Sequence, residues 1–66
     1  MEIQLNGKPH RAPEGISLAA LLEQLGLGEQ RVAVEHNGEI VPRGRHATIP
    51  LAPGDRIEIV HAIGGG

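Results

Sequence analysis

The chain has 66 residues, a formal charge of -2, no cysteine and no aromatic residue. A chain this short forms one domain and buries only about 60% of its unfolded surface, so its stability rests on a small aliphatic core with no disulfide to reinforce it. The composition excludes thiolate metal sites and cysteine nucleophiles, aromatic stacking on single-stranded nucleic acid, a basic stripe for phosphates, and any apolar run near the roughly 20 residues that span a bilayer.

Met1, Ile3 and Leu5 alternate with Glu2, Gln4 and Asn6, the period of a half-buried strand and not of a signal peptide. Asn6-Gly7 predicts a hairpin turn, and the return strand from Lys8 to Ala12, polar and interrupted by Pro9, reads as an edge. Pro13-Glu14-Gly15 ends the hairpin. Ser17 predicts an N-cap, Leu18, Leu21, Leu22 and Leu25 form one apolar helical stripe, and Gly26 falls where a left-handed C-terminal cap belongs. A helix of about two turns is unstable alone, so its leucines require a sheet to pack on.

That sheet continues in Arg31–Glu35, a second Asn-Gly turn at Asn37-Gly38, and a return over Glu39–Val41 that Pro42 stops. Arg43–His46 reads as polar connection and Ala47–Leu51 as a short strand or extended segment. Pro53-Gly54 occupies the centre of a type II turn, and Arg56–His61 forms the last strand with Ile57 and Ile59 toward the helix. Hairpin, helix, hairpin and strand make a small α+β roll, in which one main helix covers a mixed sheet of four or five strands. The expected division is a domain over residues 1–63 and a flexible glycine tail over 64–66.

Few side chains suggest chemistry. His10, His36, His46 and His61 match no local metal-ligand spacing and read as surface or turn histidines, so no metal site is expected. Glu35, Glu39, Asp55 and Glu58 read as the solvated faces of strands, with no pocket to raise their pKa values, the alternative being that some of them pair with basic residues on an activating enzyme and speed encounter. Alternation puts Val60 on the face opposite Ile57 and Ile59, where with Ala62 and Ile63 it forms a candidate docking patch beside the tail.

The tail, Gly64-Gly65-Gly66, contributes no packing and no side-chain chemistry. Ordering it costs about 1–2 kcal/mol of backbone entropy per residue. A terminal carboxylate is ionised above a pKa of about 3.3–3.7 and is a poor electrophile until it becomes a mixed anhydride. An arm without β-carbons, able to take any φ a tunnel imposes, can carry such a group into an activating enzyme. Gly66 is therefore the candidate modified residue, Gly64 and Gly65 supply reach, and no catalytic side chain is expected.

The run Val32–Arg43, the segment Gly54–Val60 and the closing Ile63-Gly64-Gly65-Gly66 together resemble the ThiS family of thiamine-pathway sulfur carriers across almost the whole chain. The resemblance implies a β-grasp, ubiquitin-like fold in the cytoplasm. It implies that a ThiF-type enzyme uses ATP to adenylate Gly66, that sulfur from a donor protein yields a thiocarboxylate, and that a ThiG-type thiazole synthase receives it. The chain would bind no cofactor itself and would be a co-substrate, not an enzyme. Carriers for molybdopterin synthesis or tRNA thiolation share the Gly-Gly end and fold, and a protein-conjugating modifier shares the activation step. A non-carrier β-grasp binding module is the alternative from a different class. The aromatics that many relatives carry are missing here, which bears on the details of docking.

Overall fold

In the computed structural model, which describes residues 1–61, the chain runs β1 (Glu2–Leu5), β2 (Lys8–Arg11), α1 (Leu18–Gln24), β3 (Val32–His36), β4 (Glu39–Val41), a 3₁₀ helix (Arg43–Thr48) and β5 (Arg56–His61). The strands form one five-stranded mixed sheet in the order β2-β1-β5-β3-β4. β1 and β5 are parallel, and the other pairs are antiparallel. This is the expected α+β roll in its five-strand form, a β-grasp, with the last strand at the centre of the sheet.

Both hairpins turn where expected, with Asn6 and Gly7 at φ 51 and 82 and Asn37 and Gly38 at φ 53 and 89. Positive φ at both central residues gives a turn whose twist matches that of the flanking strands. Ser17 caps α1 by accepting from the Ala20 N–H at 3.1 Å. The helix ends in a two-bond cap around Gly26 at φ 76, with Gly26 N–H donating to the Glu23 carbonyl and Leu27 N–H to the Leu22 carbonyl. Two orphan carbonyls are thereby satisfied, and only a residue tolerant of the left-handed region fits the pivot.

Leu18, Leu21 and Leu22 of α1 pack on Ile3, Val34, Ile57 and Ile59, all of them buried. Leu25, expected as the fourth member of this stripe, is the C-cap and is only partly buried, because the chain turns away at Gly26. The polar connection expected over Arg43–His46 is instead the first part of the 3₁₀ helix, which takes in Ala47 and Thr48 as well. His46 is not a surface histidine there. It is 6% exposed, and its Nε2–H donates to the Val41 carbonyl at 3.1 Å, satisfying an acceptor at the end of β4. The extended segment survives only as Ile49–Leu51, joined to the helix N-terminus by Leu18 N–H to the Ile49 carbonyl and Leu51 N–H to the Ile16 carbonyl.

β5 is held from both sides. On the β1 side, Gln4 N–H donates to the Asp55 carbonyl and Asn6 N–H to the Ile57 carbonyl, each at 2.8 Å. β1 then turns away, and the Asn6 side chain takes its place by accepting from the Ile59 N–H at 2.7 Å. On the β3 side, Asn37 Oδ1 accepts from the Arg56 N–H and the Asn37 N–H donates to the Arg56 carbonyl, both at 2.8 Å.

Asp55 locks the entry to the strand. His36 Nε2–H donates to its Oδ2 at 2.7 Å, the Ala52 N–H to the same oxygen at 2.9 Å, and Asn37 Nδ2 to Oδ1 at 3.2 Å. Asp55 is therefore not the solvated strand residue expected from the sequence. Burial pushes its carboxyl up, but the hydrogen bonds from His36, Ala52 and Asn37 and the charge of His36 together hold it below its ordinary value of 3.8.

Two predictions test this anchorage. Asn6→Gly keeps the backbone conformation and deletes the acceptor for Ile59 N–H, which is expected to cost about 1–2 kcal/mol of stability in urea unfolding. Asn6→Asp keeps the acceptor and stays close to wild type; equal losses in the two variants would deny the side chain its part in the ladder. Asp55, with its folded pKa depressed, contributes stability that is present above the unfolded value of about 3.9 and is lost as pH falls through the lower folded value. The urea-midpoint gap between wild type and Asp55→Asn is expected to close between about pH 5 and pH 2; a gap independent of pH would contradict it.

Candidate functional site

The arm expected at the end of the chain leaves from β5, and β5 is the best-fixed strand of the sheet. Ile57 is fully buried and Ile59 9% exposed, both facing α1, so the strand cannot rotate about its axis without removing them from the core. Its last described residue, His61, pairs with Val32 of β3, and pairing with β3 is continuous from Ile57 to His61. His61 is exposed, beside the start of the arm. Ala62, Ile63, Gly64, Gly65 and Gly66, the remaining candidate site residues, lie outside the described residues.

Val60 points away from the helix, as alternation predicts, and is 60% exposed. It pairs with Ala33 of β3, itself exposed on the same face. One further member escaped sequence reasoning: Ile40 of β4, 66% exposed. Ile40 pairs with Glu35, and Glu35 with Glu58, so one row across the sheet reads Ile40, Glu35, Glu58, and the next row toward the arm reads Ala33, Val60. Ile40 and Val41 are both apolar, and only their burial in the three-residue strand β4 shows that Val41 faces the core while Ile40 is turned outward.

His10, His36, His46 and Asp55 do not gather at this face. His36 and Asp55 pair with each other at the β5 entry, His46 is the buried residue of the 3₁₀ helix, and His10 is on the edge strand β2. Among the described residues no three His, Asp or Glu side chains converge as metal ligands would. An open concavity lined by Ala20, Leu22, Glu23, Arg43, His46 and Ala47 lies between α1 and the 3₁₀ helix, on the other side of the sheet from Val60. No helix among the described residues is long and apolar enough to cross a membrane.

This geometry has close counterparts. The crystal structure of the thiamine biosynthesis protein ThiS from Geobacter metallireducens superposes with a TM-score of 0.87 at 32% identity, covering the whole of both chains. The sulfur carrier protein ThiS of Bacillus subtilis is 38% identical over 65 residues, spanning 97% of this chain and 98% of that protein. A thiazole synthase of Magnetococcus marinus is 48% identical over 66 residues, but the chain spans only 20% of that protein's length. The family model of the ThiS family matches residues 3–66. By fold, by end-to-end similarity and by a family match that runs through the glycine tail, the chain belongs to the ThiS family.

Proposed function

We propose that this chain is a sulfur carrier for thiazole formation in thiamine biosynthesis, and that the Gly66 carboxylate is the group that carries the sulfur. The observation that supports the reading most directly is the family match through residue 66, on a chain whose final glycines follow a strand fixed on both sides. A fixed base matters because reach is useful only if its origin is known: three glycines extend at most about 10–11 Å, so the body must dock closely for the carboxylate to enter an active site.

The chemistry follows from the carboxylate. A ThiF-type enzyme binds ATP, and the Gly66 carboxylate attacks the α-phosphorus with loss of pyrophosphate, giving an acyl-adenylate. Hydrosulfide delivered by a donor protein attacks the acyl carbon, the C–O bond to AMP breaks, and AMP and a proton leave behind a terminal thiocarboxylate. A ThiG-type thiazole synthase then takes the sulfur into its substrate, and an oxygen from water or from that substrate replaces it on the acyl carbon, restoring the carboxylate. The likeness of the whole chain to part of a protein named thiazole synthase supports that partner. The chain brings position and a leaving path, and its partners bring the catalytic groups, so it acts as a regenerated co-substrate. Gly64 and Gly65 let the arm pass a narrow channel, and Val60, Ala62 and Ile63 form the docking patch at its base.

Incubation with ATP, a ThiF-type enzyme and a sulfur source is expected to replace one terminal oxygen by sulfur, read by intact mass. Removing Gly65 and Gly66 is expected to abolish that change while leaving the urea midpoint within experimental error; undiminished sulfur transfer by the truncated chain would end the proposal. Val60→Asp places a charge on an exposed apolar position, so it is expected to fold normally and bind the ThiF-type enzyme about fivefold or more weakly. Unaltered binding would remove Val60 from the patch.

A further inference from the structure

The directions of the β5 backbone groups define a feature of the exposed sheet face that packing does not require. Arg56 exchanges both its hydrogen bonds with Asn37 on the β3 side, while the Ile57 carbonyl and Ile59 N–H point to Asn6 on the β1 side. Glu58 therefore also points to β3, and Glu58 and Glu35 form a directly opposed, hydrogen-bonded pair with Cα atoms ~5.5 Å apart. Two carboxylates so placed repel each other and weaken the sheet.

Nothing among the described residues relieves them. Neither Glu35 nor Glu58 has an ion-pair or side-chain hydrogen-bond partner there, and Arg56, two positions before Glu58 on the same face, forms no ion pair with it. Glu35 is half-buried, which strengthens the repulsion relative to two freely solvated side chains. Around the pair stand Ile40, Val60 and Ala33, all exposed. The pair is thus bordered by apolar side chains in its own row and in the row toward the arm, and by Arg56 and Asn37 in the row on the other side.

We propose that the Glu35–Glu58 pair is an anchor for a single cationic side chain, arginine above all, projecting from an apolar surface of the adenylating enzyme that Ile40, Val60 and Ala33 cover. Charge complementarity decides the occupant. Covering two unpartnered carboxylates with an apolar or acidic surface leaves both desolvated and uncompensated, which opposes docking strongly. A guanidinium presents several donors in one plane and can bridge the two carboxylates, turning their mutual repulsion into shared attraction. Lysine meets the charge without the planar fork. The inference rests on the carrier reading and adds to it the chemistry of the partner's surface.

The test uses the Glu35→Gln/Glu58→Gln double variant of the full chain, with Glu14→Gln/Glu23→Gln as a control of equal net charge. Glu14 lies in the loop after β2 and Glu23 on α1, away from the exposed sheet face. Binding to the ThiF-type enzyme is measured by calorimetry at low and moderate salt, alongside the urea midpoint and the mass of the product. The expected result is a double variant at least as stable as wild type, bound about tenfold more weakly, with a reduced dependence on salt. The control is expected to bind as wild type does. If wild type gains sulfur at Gly66 and the double variant binds as tightly, with the same salt dependence, the anchor is refuted and the carrier reading stands. If the control weakens binding as much as the double variant does, net charge is responsible and the anchor is likewise refuted. If wild type neither binds the enzyme nor changes mass, the carrier reading fails and takes this inference with it.

Discussion

The structure depends on the burial of Ile57 and Ile59 beneath α1 from a strand that comes last in the sequence but sits centrally in the sheet. Such a strand cannot be placed until its neighbours exist, and its contacts join the two ends of the chain: Gln4 to Asp55, Asn6 to Ile59, Val32 to His61. In so small a protein this closure does the work that disulfides do elsewhere. It ties the residues that precede the arm to every other strand except the two edges.

The two turn asparagines show how few residues serve several ends. Each supplies the positive φ that its hairpin needs, and each also lends a side-chain oxygen to a backbone N–H of β5. Asn6 extends the ladder past the point where β1 has ended, and Asn37 closes the other side at the strand's entry. Glycine at either position would permit the turn but not the second bond. Asp55 acts similarly, accepting from a histidine, an asparagine and a backbone N–H with its two oxygens.

Much of this was legible beforehand because it is local. The Asn-Gly pairs, Ser17, Gly26 and the first three leucines of the stripe are signals whose meaning lies within a few residues, and each landed where expected. The misreadings concern residues whose partners are distant or unusual. His46 looked like a loop histidine because its acceptor is a backbone carbonyl, which no residue type announces. Asp55 looked solvated because His36, 19 residues away, gives no hint in sequence of lying beside it. Ile40 was passed over because a strand of three residues offers too short an alternation to show which way it faces. Of the candidate site, the outward position of Val60 followed from alternation alone, whereas the opposition of Glu35 and Glu58 required the register between β3 and β5.

The fixed register of β5 also makes the length of that strand a measured quantity. Side chains alternate strictly along it, and hydrogen bonds pin its entry at Asp55 and Arg56. Adding a single residue between Asp55 and Val60 would exchange inside for outside, bringing a glutamate under the helix and an isoleucine into water. Adding two would restore the faces but carry the arm's origin roughly 6–7 Å farther from the body. Parity and reach are thus set together by one count of residues, so the strand serves as a ruler between the fold and whatever lies beyond it.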